Sequence, residues 1–386
     1  MLDSARFAKQ PPADLPSIAR EHYRMDITGS YAGRPVRMPF GKAAGQLSMT
    51  VKEARTDAEA GLGFVVLKTV IAQDSAGGST MADWAVHESA MDVGPLLSRG
   101  GRTGWTVTWK GRGWDRSFDD YLALYRDALA VGDAAAMPVA ASVKYHLPVS
   151  GVGFQESEYE YTTKKLAEIG GVGTIIEKDF SPTLAADERS AEKETILRWL
   201  REVPALIKRH APVTLALKLM NALFDADVQV EMLEAVSENP DGAYVTLFNR
   251  LWDTEKQAAY GGWDLSDRNL RVLDRYTAHC GPLQLCNSAT LGFSATGNIC
   301  SGRMMIEYAL RGATSGQIHT FFQLPKSEYL AEAGSTTQRA LHSLVFHPEE
   351  GLIAWMAHLG ETGVLEPRDG LLHFLDIANG PARHPA

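Results

Sequence analysis

The chain has 386 residues, 45% of them hydrophobic and 22% charged, the composition of a globular protein with a substantial core. A formal charge of -9 without any cluster of Lys and Arg excludes a nucleic-acid backbone as partner, because such binders neutralise phosphates with grouped cations. Three cysteines, Cys280, Cys286 and Cys300, give neither a C-x-x-C pair nor a disulfide framework and are too few for an iron–sulfur cluster, so the expectation is a reduced, cytoplasmic protein.

The first residues carry no long apolar stretch of the signal-peptide kind, and nowhere do the ~18 apolar residues of a membrane span run together. A polar lead-in with Pro11, Pro12 and Pro16 reads as an N-terminal arm over 1–35. Beyond it short apolar runs predict strands over 37–44, 63–70, 137–145, 172–178, 213–220, 243–248, 283–287 and 315–322. Amphipathic stretches between them predict helices over 118–131, 157–169, 192–210, 226–237, 267–278 and 301–311.

Such alternation requires a mainly parallel sheet covered by helices, and about eight units suit a closed barrel better than an open sheet. The predicted architecture is therefore an α/β fold, a (β/α)8 TIM barrel over 36–345, followed by a helical extension and tail over 346–386. Two segments depart from the rhythm. The stretch 100–116, dense in Gly and in Trp105, Trp109 and Trp114, predicts a long Trp-rich loop over the barrel mouth. It is either a surface loop packed on the barrel or, through Lys110, Arg112 and Arg116, a lid over an anionic or planar substrate. The stretch 288–299, rich in Ser, Thr and Gly, lengthens the connection after the seventh strand.

Two apolar runs end in lysine, Gly63-Phe64-Val65-Val66-Leu67-Lys68 and Val213-Thr214-Leu215-Ala216-Leu217-Lys218. A charge closing a run buried on both faces points out of the core, towards the mouth where barrels build their sites. Lysines so placed meet an anion or cofactor, snorkel to an ion pair, or serve as Schiff-base amines. Other polar strand ends are Ala44-Gly45, Thr69, Lys144 with His146, the stretch 177–181, Asn221, Asn249, Ser288 and His319-Thr320. His87 and His146, each alone, read as structural histidines. Gly297-Asn298-Ile299 before Ser301-Gly302, with His319-Thr320 ending the next strand, has the form of the phosphate site that barrels build after strands seven and eight; an ordinary capped turn is the alternative.

Several short motifs occur in a particular order. They are Met38-Pro39-Phe40-Gly41-Lys42-Ala43-Ala44-Gly45, the run ending Lys68-Thr69, the strand ending in Lys218, Tyr244-Val245-Thr246-Leu247-Phe248-Asn249, Gly261-Gly262, Thr296-Gly297-Asn298-Ile299-Cys300-Ser301-Gly302 and Gln317-Ile318-His319-Thr320. In this ordered set the chain resembles the flavin-dependent dihydroorotate dehydrogenases (DHODHs) over 36–322. The resemblance implies an FMN across the mouth. Ala44 and Gly45 would pass under the isoalloxazine, Lys68 and Thr69 would meet its edge on the substrate side, and Lys218 would face the N1 to C2 carbonyl edge. Gly297, Asn298, His319 and Thr320 would hold the phosphate with backbone donors, joined by the Gly261-Gly262 pair, although Trp263-Asp264-Leu265 replaces the small residues that usually follow it.

The family's proton-transfer residue lies on the loop after the fourth strand. Aligning on Pro182 puts Ser181 there, beside the plain alternative of turn chemistry before a proline. DHODHs surround their pyrimidine with asparagines, whereas this chain has Glu177, Lys178 and Asp179 on that loop and Thr108-Trp109-Lys110 on another; Asn249 persists. A site that loses most of those amides loses selectivity for that ring. The expected function is thus FMN-dependent oxidation or reduction of a CH–CH group beside a carbonyl, on a small molecule other than dihydroorotate. Lys68 and Ser181 would be catalytic, and Asn249, Thr108 and Lys110 would contact substrate. A soluble electron acceptor and, by base rate, a homodimer complete the expectation; no metal ligands are read. The rival readings are a genuine DHODH, a Schiff-base lyase using Lys68 or Lys218, and an FMN-binding protein without turnover.

Overall fold

Eight short runs with both faces buried form the strands of one ring: β1 (Phe40–Lys42), β2 (Phe64–Val66), β3 (Val139–Lys144), β4 (Ile175–Asp179), β5 (Thr214–Lys218), β6 (Tyr244–Leu247), β7 (Phe293–Thr296) and β8 (Ala313–Ile318). The computed structural model of the chain describes residues 7, 10–12, 14–82, 91–109, 113–180, 192–221, 225–239, 244–253, 258–280 and 292–380. Each strand pairs in parallel with the next, and Gly316 opposite Phe40 closes the ring between β8 and β1. The fold is a (β/α)8 TIM barrel.

Helices α1 (Val51–Glu59), α2 (Phe118–Ala135), α3 (Glu156–Gly170), α4 (Lys193–His210), α5 (Ala226–Ser237), α6 (Trp263–Cys280), α7 (Gly302–Ala309) and α8 (Thr336–Phe346) surround it. Their sequences specify their ends. Thr50 with Glu53 and Ser335 with Gln338 form capping boxes on α1 and α8, and Ser301 accepts from the Met304 N–H to cap α7. The buried residues Ile196, Leu200, Val203 and Ile207 recur at helical spacing along α4 and turn one face to the barrel.

Two expectations are corrected. The seventh strand is Phe293–Thr296, inside the stretch read as connection, whereas the expected run at 283–287 lies outside the described residues. Ser294 and Thr296 turn into a polar barrel interior, so this strand shows no continuous apolar run. The Trp-rich stretch is no simple loop. Thr103–Trp109 pairs antiparallel with Met91–Leu97, Leu97 lying opposite Thr103, because its β-branched and aromatic residues suit a pleated hairpin closed by a turn at Gly101 (φ 77°). A second hairpin, Leu251–Asp253 with Ala258–Tyr260, follows β6.

The interior is graded along its axis. An N-terminal hairpin, Gly29–Tyr31 with Arg34–Val36, plugs the floor; Tyr31 stacks on Phe64 at 3.9 Å and meets Tyr244 edge-on at 5.5 Å. Gly41 has no side chain because the Phe64 ring fills that space. Above this apolar floor comes a polar layer in which Tyr244 and Ser294 both reach the Ser315 hydroxyl (2.9 and 3.2 Å), and Gln317 Nε2 donates to Thr246 Oγ1 (3.1 Å). The rim above carries Lys68, Asp179 and Lys218, all buried. Among the described residues no helix is long and apolar enough to cross a membrane.

Candidate active site

The carboxyl ends of β5 to β8 enclose a cavity of about 280 Å3, lined among others by Lys218, Asn249, Arg250, Gln317 and His319, and roofed by Thr103-Gly104-Trp105 of the first hairpin. Lys218 ends β5 on an inward position, its Nζ 3.8 Å from Glu177 Oε1. Arg250, three residues beyond β6 on the same rim, donates from Nη1 to the Val107 carbonyl of the hairpin at 2.8 Å, and burial pushes its guanidinium down to about 10. That bond ties the roof to the rim.

His319 follows β8, and its imidazole packs directly on Gly45, where a methyl would overlap the ring. Gln323 Nε2 lies 2.7 Å from Nδ1; with the amide so oriented, Nδ1 accepts and Nε2 carries the proton. Burial, reinforced by Arg250, Lys68, Lys218 and Lys42, holds this histidine well below its usual range, so it is neutral. Its Nε2 is buried with no hydrogen-bond partner among the described residues, as is Gln317 Oε1. Two cations, a neutral N–H and a spare amide oxygen on one mouth suit a planar ligand with acceptors along its edge and a negative charge.

The structure brings Lys218, Asn249, Gly261, Gly262, Gly297, Asn298, His319 and Thr320 to this cavity. Asn249 caps locally, its Oδ1 accepting from the Arg250 N–H at 3.0 Å. Gly297 and Asn298 have φ of 110° and 54°, and a methyl on Gly297 would meet Asn269 Nδ2 at 2.7 Å. Asn269 explains that glycine, since its Nδ2 also donates to the Thr296 carbonyl at 2.9 Å. Gly261 donates its N–H to Thr106 Oγ1 at 3.2 Å, and an added methyl there would find nothing closer than 3.8 Å.

Ala44, Gly45, Lys68 and Thr69 follow β1 and β2 on the same rim but do not line the cavity, although Gly45 touches the His319 that does. The turn at Ala44-Gly45 is pinned by Ser48, whose Oγ donates to the Gly45 carbonyl at 3.1 Å. Lys68 is near enough to bear on His319 electrostatically, which places it and Lys218 at the same end of the barrel. Thr69 Oγ1 reaches Ser142 Oγ at 2.9 Å and donates to Asp179 Oδ2 at 3.3 Å. Ser181 and Lys110 lie outside the described residues, as do His87 and the Thr108 side chain; the Thr108 backbone pairs opposite Asp92. His146 is buried and accepts at Nδ1 from the Gln155 N–H at 3.2 Å, a local structural bond.

Sequence reasoning missed Arg250 and the side chain of His319. Arg250 stood beside Asn249 at a strand end, the same signal that singled out the lysines. His319 was read for its backbone because the turn resembled a phosphate grip.

A closed parallel barrel with a cationic cavity at its carboxyl rim belongs structurally to the TIM-barrel class, whose ligand sites are built at that end. Within that class the chain is similar to a DHODH of Eimeria tenella solved in complex with ferulenol, at a TM-score of 0.56 with 10% identity, over 97% of either chain. No family model matches the sequence, and no curated protein matches it either.

Proposed function

We propose that the chain is an FMN-dependent oxidoreductase built on the DHODH plan and acting on a small molecule other than dihydroorotate. One observation carries this reading: Lys218, Arg250 and the neutral His319 converge on a single cavity at the carboxyl rim, beside the Gly297-Asn298 turn. The donor set fits the flavin, with cations for its electron-rich edge and the strand-seven turn for its phosphate. Bound there, FMN would supply hydride exchange between its N5 and a carbon beside a carbonyl.

The protein's own residues bind and orient. Lys218 places a positive charge in the cavity wall at the end of β5. Arg250 keeps the hairpin roof closed and excludes water, which strengthens every charge interaction beneath it. Lys68, Thr69 and Asn249 are proposed for the substrate side, Ser181 for proton transfer, and Thr108 and Lys110 for substrate contact. Gly261, Gly262, Gly297, Asn298 and Thr320 would supply the phosphate grip, and Ala44-Gly45 the floor under the ring. Asp179, at the rim end of β4 in place of an amide, argues against a pyrimidine as substrate; Glu177 and Lys178, expected on the loop after that strand, lie within it instead.

The visible spectrum of freshly purified protein is the direct test. A flavin spectrum, or saturable uptake of added FMN that Lys218→Met weakens at least tenfold, is the expected result; no uptake at saturating FMN overturns the reading. Ready turnover of dihydroorotate would overturn the substrate argument alone.

A further inference from the structure

One layer beneath the cavity lies a carboxylate to which no role has been assigned. Glu177 on β4 is fully buried; its Oε2 accepts from Gln317 Nε2 and from Thr246 Oγ1 at 3.3 Å. Its Oε1 has no hydrogen-bond partner among the described residues and stands 3.8 Å from Lys218 Nζ. That gap is too long for a hydrogen bond yet short for a charge pair in a low-dielectric interior. Glu177 therefore offsets the charge of Lys218 from below without occupying the ammonium's donors.

The carboxylate is itself fixed from several sides. Gln317 on β8 and Thr246 on β6 clamp Oε2, Lys218 on β5 faces Oε1, and Asp179 on β4 and Tyr31 of the floor hairpin bear on it electrostatically. A carboxyl held by three strands cannot follow its lysine, so the lysine must take its position from the carboxyl.

Resting on the flavin reading, we propose that Glu177 is a positioning residue for Lys218: it aims the ammonium at the cavity and offsets part of its charge, and so sets the reduction potential of a flavin bound above. A cation alone would favour the negative charge that a flavin gains on reduction; the buried carboxylate moderates that preference. The competing role is purely structural, a clamp between β4, β6 and β8.

The test is the midpoint potential of FMN bound to wild-type protein, Glu177→Gln and Lys218→Met. Glu177→Gln preserves size and can still accept from Thr246, so a structural clamp predicts an unchanged potential. The proposal expects Glu177→Gln to move the potential positive and Lys218→Met to move it negative. An unchanged potential in FMN-loaded Glu177→Gln overturns the proposal while leaving the flavin reading standing. Absence of FMN uptake by the wild type overturns both. If Glu177→Gln fails to fold, Glu177→Asp replaces it: the shorter side chain draws the carboxylate back from Lys218 and from the cavity above, and a smaller shift in the same positive direction is expected. No shift there overturns the proposal as well.

Discussion

At the scale of single residues, close approach decides what lies on the rim. The imidazole of His319 occupies the space a side chain would need at Gly45, so the two residues are one steric unit although 274 positions separate them, the difference of 319 and 45. Gly45→Ala should cost about 1–3 kcal/mol by overpacking. Gly45→Ala placed on His319→Ala should cost far less, because the ring it would strike is gone. Urea titrations of the two single variants and the double variant give the coupling directly, and additive losses would refute the contact. None of this was legible beforehand. Gly45 and His319 were each picked out by their motifs, but a sequence does not show that a side chain at the end of one strand covers the turn after another.

At the scale of elements, Asn269 on α6 does for β6 and β7 what Arg250 does for the roof. Its Nδ2 donates to the Phe248 and Thr296 carbonyls at 3.2 and 2.9 Å, tying two strand ends to one helix. Asn269→Ala removes a buried donor from each of those carbonyls and is expected to cost about 1–3 kcal/mol, read from the shift of the urea midpoint. The same variant removes what a methyl on Gly297 would strike, so the Gly297-Asn298 turn should loosen and FMN uptake weaken. Unchanged uptake would show that the turn does not contribute to the site. The elements themselves were largely legible. Strand β2 and the Leu215-Ala216-Leu217 run of β5 are apolar on both faces and announce themselves, and α2 to α5 fall within a few residues of their expected spans. β7 was misplaced for a physical reason: its inward residues Ser294 and Thr296 serve a polar layer, and a strand that alternates into such a layer lacks the run that marks its neighbours. The hairpin over the mouth was hidden likewise, because its pairing partner, Met91–Leu97, contains Gly94 and Pro95 and reads weakly as a strand.

At the scale of the whole molecule, a chain of net charge -9 concentrates positive charge inside one mouth, and the same burial keeps histidines neutral. His319 is one. His342 on α8 is another, buried with neither ring nitrogen partnered among the described residues, and held below its usual range by burial. For a base whose folded pKa lies below its unfolded value, the unfolded chain binds more protons once pH falls under about 6.5. Stability is therefore full above that pH and drains away as pH descends from there towards the folded pKa. Glu177 has the opposite sign: burial raises its folded pKa, so its contribution is full at low pH and lost as pH rises through that value. The two effects separate by mutation. His342→Phe keeps an aromatic ring near Phe346, which lies 5.6 Å from the imidazole centroid, and removes the proton site. The thermal midpoint of the wild type should fall between pH 7 and pH 5 by more than that of His342→Phe, with the curves closest near pH 7. Parallel curves across that range would show that the imidazole titrates as it does in the unfolded chain.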